Sequence, residues 1–160
     1  MKYCIYTDGA TSNNGYENAK GGWAAVLLKE NNQSPSGFSS SASDIATGRE
    51  MPTTNQRMEL KAAIEGLKML PDLSFGDEVI LRTDSAYLYN CWKNKWYFSW
   101  ENNNWRNSKK EPVANKDLWE ELLPFFKNPK ITLEKVKGHS NDYWNCFIDD
   151  LAVEQREKLI

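Results

Sequence analysis

The chain has a single histidine and only three cysteines in 160 residues. Cys4, Cys91 and Cys146 are odd in number and widely spaced, with neither the close pairing of a zinc site nor the even count of a disulfide scaffold, so they read as reduced, structural thiols. No apolar run reaches the length of a membrane span, and the opening Met-Lys-Tyr-Cys-Ile-Tyr-Thr-Asp holds no stretch of signal-peptide length. A cytoplasmic protein without membrane association is the expectation. Internal repeats and linkers are also lacking, so one domain spanning residues 1–160, long enough to bury its own core and monomeric by default, is expected. Nor is there an excess of positive charge. The net charge is −2, which argues against a nonspecific nucleic-acid binder.

The charge is unevenly distributed. Between Cys91 and Lys116 six basic residues (Lys93, Lys95, Arg106, Lys109, Lys110 and Lys116) face two acids, Glu101 and Glu111, so this stretch carries +4 and the remainder −6. A basic, aromatic-rich arm beside an acidic body suits a metal-dependent nuclease, in which one region attracts phosphate and the other a cation. A solvated basic loop would show the same charge pattern.

Residues 2–10 alternate and are rich in β-formers, which predicts a strand stopping at Asp8-Gly9; residues 21–28 predict a second strand after the turn at Asn13-Asn14-Gly15, giving an antiparallel pair. A third strand is expected near residues 37–43. From Thr54 the spacing becomes helical, with Leu60, Ala63, Ile64, Leu67 and Leu70 on one face and Pro71 closing the segment. A short buried strand at 79–83, a helix capped by Ser85, a helix at 117–126, a strand at 131–137 and a last helix striped by Trp144, Ile148, Leu151 and Ala152 follow. Strands first and βα alternation afterwards predict an α/β fold with a mixed five-stranded sheet and helices on both faces.

Four acids stand in distinctive settings. Asp8 ends an apolar strand before Gly9, as a turn residue or as an acid with open approach. Glu59 lies about 100° from Leu60, on a flank of small residues (Ala62, Ala63, Gly66) that lets a helix approach a sheet, although a lone Glu at the edge of an amphipathic helix is ordinary. Asp84 sits where a strand turns into a helix, a position at which α/β proteins bind ligands; Ser85 can cap that helix, so the acid is not needed for it. With Ile148 central in the last stripe, Asp149 falls about 100° round on the flank and Asp150 about 200° round, toward water.

These acids, in Ile-Tyr-Thr-Asp-Gly-Ala, Thr-Thr-Asn-Gln-Arg-Met-Glu-Leu, Leu-Arg-Thr-Asp-Ser and Ile-Asp-Asp-Leu-Ala, together with Val136-Lys137-Gly138-His139-Ser140, resemble ribonuclease H type 1 in chain order from Lys2 to about Glu154. The resemblance implies a ribonuclease H-like fold of three antiparallel strands followed by parallel ones. It implies an endoribonuclease that cleaves the RNA strand of RNA–DNA hybrids and leaves 3′-hydroxyl and 5′-phosphate ends. Asp8, Glu59, Asp84 and Asp149 would ligate two Mg²⁺ ions, with Mn²⁺ as a substitute and Asp8 bridging the pair, and His139 would assist proton transfer or product release. Asn14, Asn55 and Gln56 match contacts to 2′-hydroxyls and base edges, Gln56 standing where Asn is common. Thr54 and Asn115 match a pocket for a DNA phosphate. The Arg usual two residues before that Thr is Pro52 here, which leaves the pocket weaker or completed by Arg49. Trp96 and Trp100 resemble aromatics along the DNA channel, in a Trp92, Trp96, Trp100 series that helical spacing alone would assign to the core. Glu101-Asn102-Asn103-Asn104 replaces much of what is usually a basic handle, so weaker binding is expected.

Three other classes compete. Asp8-Gly9-Ala10-Thr11 resembles the phosphate-binding strand of actin-like kinases, which need two such domains. A resolvase or other ribonuclease H-like DNA nuclease would share the acids but not Thr-Asn-Gln-Arg-Met-Glu-Leu. A hybrid-binding module with weak catalysis is expected to have lost an acid, and all four are present.

Overall fold

The alternating apolar run at the start of the chain forms the central strand β1, Lys2–Ser12, in a computed structural model that describes residues 1–137 and 142–158. The strand does not stop at Asp8-Gly9 as expected. Residues Asp8 to Ser12 stay in register with Ala24 to Lys20 of β2 (Lys20–Lys29), and this antiparallel pairing carries β1 past the glycine. On its other side β1 pairs in parallel with β4 (Glu78–Thr83) only from Lys2 to Tyr6. Asp8 therefore lies mid-strand, just beyond the point where its parallel neighbour turns away.

The third strand is the clearest departure. β3 is Asp44–Glu50, antiparallel to β2, rather than the Ser-rich 37–43 stretch, where Gly37 takes a φ of +84° in a turn and Phe38 makes only an isolated bridge to Glu30. As an edge strand with most residues exposed, β3 has no apolar alternation to betray it. With β5 (Ile131–Lys135, two residues shorter than expected) the sheet order is β3-β2-β1-β4-β5. Three antiparallel strands are followed by two parallel ones, as the resemblance implies.

The helices are α1 (Asn55–Lys68), α2 (Ala86–Asn94), α3 (Trp96–Asn102), α4 (Lys116–Phe126) and α5 (Tyr143–Glu157). Alternation along β1 splits the core in two. Tyr3 and Ile5 pack with Leu60, Ile64 and Leu67 of α1 and with Leu118, Trp119 and Leu122 of α4. Cys4 and Tyr6 pack on the other face with Val26, Leu28 and, from α5, Ile148 and Ala152. Helices thus cover both faces. Among the described residues no helix is long and apolar enough to cross a membrane.

α5 is secured at two places. At its start Asp142 accepts from Trp144 N at 3.0 Å and from the Tyr6 hydroxyl at 2.6 Å, while Arg82 Nη1 donates to that hydroxyl at 2.7 Å. Near its end the helix rests on β2 at Gly22, where a Cβ would overlap the Ala152 carbonyl oxygen and the Arg156 amide nitrogen. Gly22→Ala is therefore expected to cost about 1–3 kcal/mol, a fall in Tm of roughly 2–12 °C. An unchanged Tm in a thermal melt would show that α5 does not bear on the sheet there.

Candidate active site

Beyond Tyr6, the divergence of β1 from β4 opens a crevice at the carboxyl end of β4, and three elements bring acids to it. The Gly9 amide donates both to Asp8 Oδ1 at 2.9 Å and to Glu59 Oε1 at 3.2 Å. This sharing depends on how near α1 comes: a Cβ at Gly9 would lie 2.8 Å from Met58 Cβ and 2.9 Å from Glu59 N. The small flank of α1, Ala62, Ala63 and Gly66, is buried against the sheet. Glu59 is thereby held over β1. Ser85 caps α2 by accepting from Leu88 N at 3.1 Å, so the cap is not Asp84. One carboxylate oxygen from each of Asp8, Glu59 and Asp84 lies within 4.8 Å of the others.

Asp149 approaches from α5. It lines the same cleft, of about 640 Å³, and its carboxylate interacts with that of Asp8. Asp150 is exposed while Ile148 is buried, so the two neighbouring acids part as the helical angle requires.

Burial dominates the electrostatics. Asp8 is pushed up to about 8, first by loss of water and then by the charges of Asp84 and Asp149, against a smaller lowering by the Gly9 amide. Glu59 is raised well above the carboxylate range by burial and then by Asp8 and Asp84. Among the described residues its Oε2, which is buried, has no hydrogen-bond partner. A buried carboxylate oxygen without a partner is costly, and hard oxygen donors in a cluster are what Mg²⁺ or Mn²⁺ takes. These residues fit a divalent cation.

The neutral side chains assigned to substrate gather beside the acids at the start of α1. Asn14 Oδ1 accepts from Asn55 N at 3.0 Å, Thr54 Oγ1 caps the helix by accepting from Arg57 N at 3.1 Å, and Asn55 and Gln56 line the cleft. Asn115, at a φ of 62° before α4, donates to Tyr87 Oη and accepts from Arg57 Nη1, both at 3.4 Å. Arg49 Nη1 donates to Gln155 of α5 at 3.3 Å. The guanidinium beside Thr54 and Asn115 belongs to Arg57, which also makes two 3.0 Å bonds to Asp117.

The tryptophans part company. Lys95, at a φ of 54°, breaks the chain between α2 and α3, so Trp92, Trp96 and Trp100 do not form one helical stripe. Trp96 is 40% exposed, whereas Trp100 packs at 5.4 Å on Trp119 and 6.2 Å on Trp105. His139 lies outside the described residues. The cleft also includes Thr11, Tyr87 and Arg156, which sequence reasoning did not single out. Arg156 was accessible to it, standing seven residues after Asp149 on the same helical face.

The raised pKa has a consequence for the metal-free protein. Asp8 ionises near 4 when unfolded and near 8 when folded, so the unfolded state loses its proton first and this carboxyl destabilises the fold progressively as pH rises through that window. Asp8→Asn, which cannot ionise, is expected to raise Tm by several degrees in EDTA at pH 8 and by much less at pH 5. A gain independent of pH would contradict this assignment.

The RNase H family model matches residues 1–157. Ribonuclease H of Caldanaerobacter subterraneus is 48% identical over 157 residues, 98% of this chain and 92% of its own length. That of Syntrophomonas wolfei is 47% identical over 148 residues, 92% of this chain and 91% of its own. The solution structure of the PFV RNase H domain superposes with a TM-score of 0.74 at 22% identity, over 99% of this chain and 97% of that one. LC11-RNase H1, solved in complex with RNA/DNA hybrid, gives 0.62 at 18% identity, over 98% and 97%. The solved structures identify the fold as ribonuclease H-like, and the family match with relatives nearly half identical over almost their whole length carries the stronger conclusion: the chain belongs to the ribonuclease H family.

Proposed function

We propose that this chain is an endoribonuclease that hydrolyses the RNA strand of RNA–DNA hybrids, leaving 5′-phosphate and 3′-hydroxyl ends. The observation that carries the reading is the cluster of Asp8, Glu59 and Asp84 within 4.8 Å, joined in its cleft by Asp149. It accords with the ribonuclease H names of its relatives and with the hybrid bound to LC11-RNase H1.

In this reading Asp8, Glu59, Asp84 and Asp149 would hold two divalent ions, Mg²⁺ with Mn²⁺ as a substitute, whose chemistry is to activate water and offset charge on the phosphate. The chain's own residues place the substrate. Asn14, Asn55 and Gln56, at the α1 end of the cleft, offer amide donors and acceptors to 2′-hydroxyls and base edges in the minor groove, which is how RNA is told from DNA. Thr54 and Asn115 receive a phosphate of the DNA strand with Arg57 beside them, and Trp96 and Trp100 belong to the arm that follows that strand. His139 moves a proton at the scissile phosphate or helps release product. The ribonuclease H domain formed by residues 1–160 acts in the cytoplasm as a monomer.

Asp84→Asn is expected to lower hydrolysis by more than about a hundredfold without lowering Tm and with hybrid binding nearly unchanged, because it removes a ligand and not a core contact. The assay compares labelled RNA–DNA, RNA–RNA and DNA–DNA duplexes with and without Mg²⁺. Activity within about tenfold of wild type, or equal cleavage of all three duplexes, would sink the reading. On α5, Asp149→Asn should be severely impaired and Asp150→Asn nearly normal; the reverse order would place the wrong acid in the cleft.

A further inference from the structure

Among the described residues, the side chain of opposite sign that lines the acidic cleft together with Asp8, Glu59, Asp84 and Asp149 is Arg156. Asp149, Val153 and Arg156 follow one another at steps of four and three along α5, so one helical face presents all three to the cleft. That face cannot easily turn away. At Gly22 the backbone of Ala152 and Arg156 sits directly on β2, and no side chain at that position holds the helix off. The guanidinium is steadied from one edge, where Nε donates to Glu157 Oε1 at 2.9 Å, and the other Glu157 oxygen lies 3.9 Å from Lys20 Nζ on β2. This pair uses one of five N–H groups on the fork. The side chain is 23% exposed, so it lies at the rim of the cleft and not in the core.

Resting on the hybrid reading above, we infer that Arg156 is a substrate-binding residue that holds a phosphate of the RNA strand beside the one cleaved. A polyanion entering a cleft lined by four carboxylates meets like charge, and a cation at the rim offsets that repulsion on approach. The planar fork matches phosphate oxygens and offers little to a base edge at a rim position. The strand concerned is RNA, because the phosphates nearest the acids are those of the strand that is cut. A purely structural role is the competing account, since a cation in the last turn also complements the helix dipole. That role would alter thermal stability and would leave the salt dependence of binding untouched.

The test measures hybrid affinity by fluorescence anisotropy in the Asp84→Asn background, from about 50 to about 200 mM salt. Adding Arg156→Gln should weaken binding several-fold at low salt and flatten the slope of log affinity against log salt by about 0.9, with Tm little changed. Arg156→Lys should keep the slope and recover only part of the affinity, because it retains the charge without the fork. In the active enzyme Arg156→Gln should raise KM with kcat nearly constant. Unchanged affinity and slope, or a fall in Tm alone, overturns the inference; if Arg156→Gln does not fold, Arg156→Met takes its place, and an unchanged affinity and slope in that variant overturns it. Failure of Asp84→Asn itself to bind hybrid would bring down the hybrid reading first and this inference with it.

Discussion

Burial of mutually repelling carboxylates is the constraint around which this fold is arranged. Asp8 and Glu59 are each 6% exposed, and both share a cluster with Asp84 whose oxygens lie within 4.8 Å. Two unit charges at that separation repel by about 3–4 kcal/mol at an effective dielectric near 20. Flexible supports would let the acids separate into water. Instead Asp8 is on the central strand, Glu59 is on a helix pressed against Gly9, and α5 is seated on Gly22. The rigid frame leaves two ways of relieving the repulsion, proton uptake or cation binding, and the upward shifts of Asp8 and Glu59 express the first.

Those same supports explain what was legible from the residues alone. The choice of Asp149 over Asp150 needed only the position of Ile148 in a buried stripe, and Glu59 could be placed over the sheet because its flank is built of Ala62, Ala63 and Gly66. Local pattern sufficed where an element has a buried face. It failed for β3, an exposed edge strand held by pairing with β2, and for the end of β1, where the same pairing overrides the turn signal of Asp8-Gly9. It failed again at Lys95, whose left-handed backbone interrupts the tryptophan series without any glycine to announce it. The contacts of Arg49 and Arg57 are long-range, reaching Gln155 and Asp117 across the fold, and spacing in the chain carries no trace of them.

Charge follows the same division between body and arm. The body gathers the acids in one cleft, while the +4 stretch from Cys91 to Lys116 supplies cations and aromatics. Packing then decides which parts of the arm are presented. Trp100 is partly buried against Trp119 at the edge of the core, Trp96 stays 40% exposed, and Lys95 lies 5.9 Å over the Phe98 ring. Glu101, in the stretch that thins the basic handle, is paired with Lys127 at 2.9 Å, so one of the arm's two acids is partly neutralised by the body.

The claim on which everything else rests is that the buried carboxylates are held together to receive a divalent cation. Calorimetric titration of Mn²⁺ into the protein at pH 7, repeated in two buffers of different ionisation enthalpy, tests it directly. Carboxyls that are protonated in the metal-free protein must give up protons when they become ligands. The expected result is saturable binding whose heat depends on the buffer and reports proton release, with Asp8→Asn losing most of both. Absence of saturable binding, or binding of equal strength and without proton release in wild type and Asp8→Asn, would contradict it.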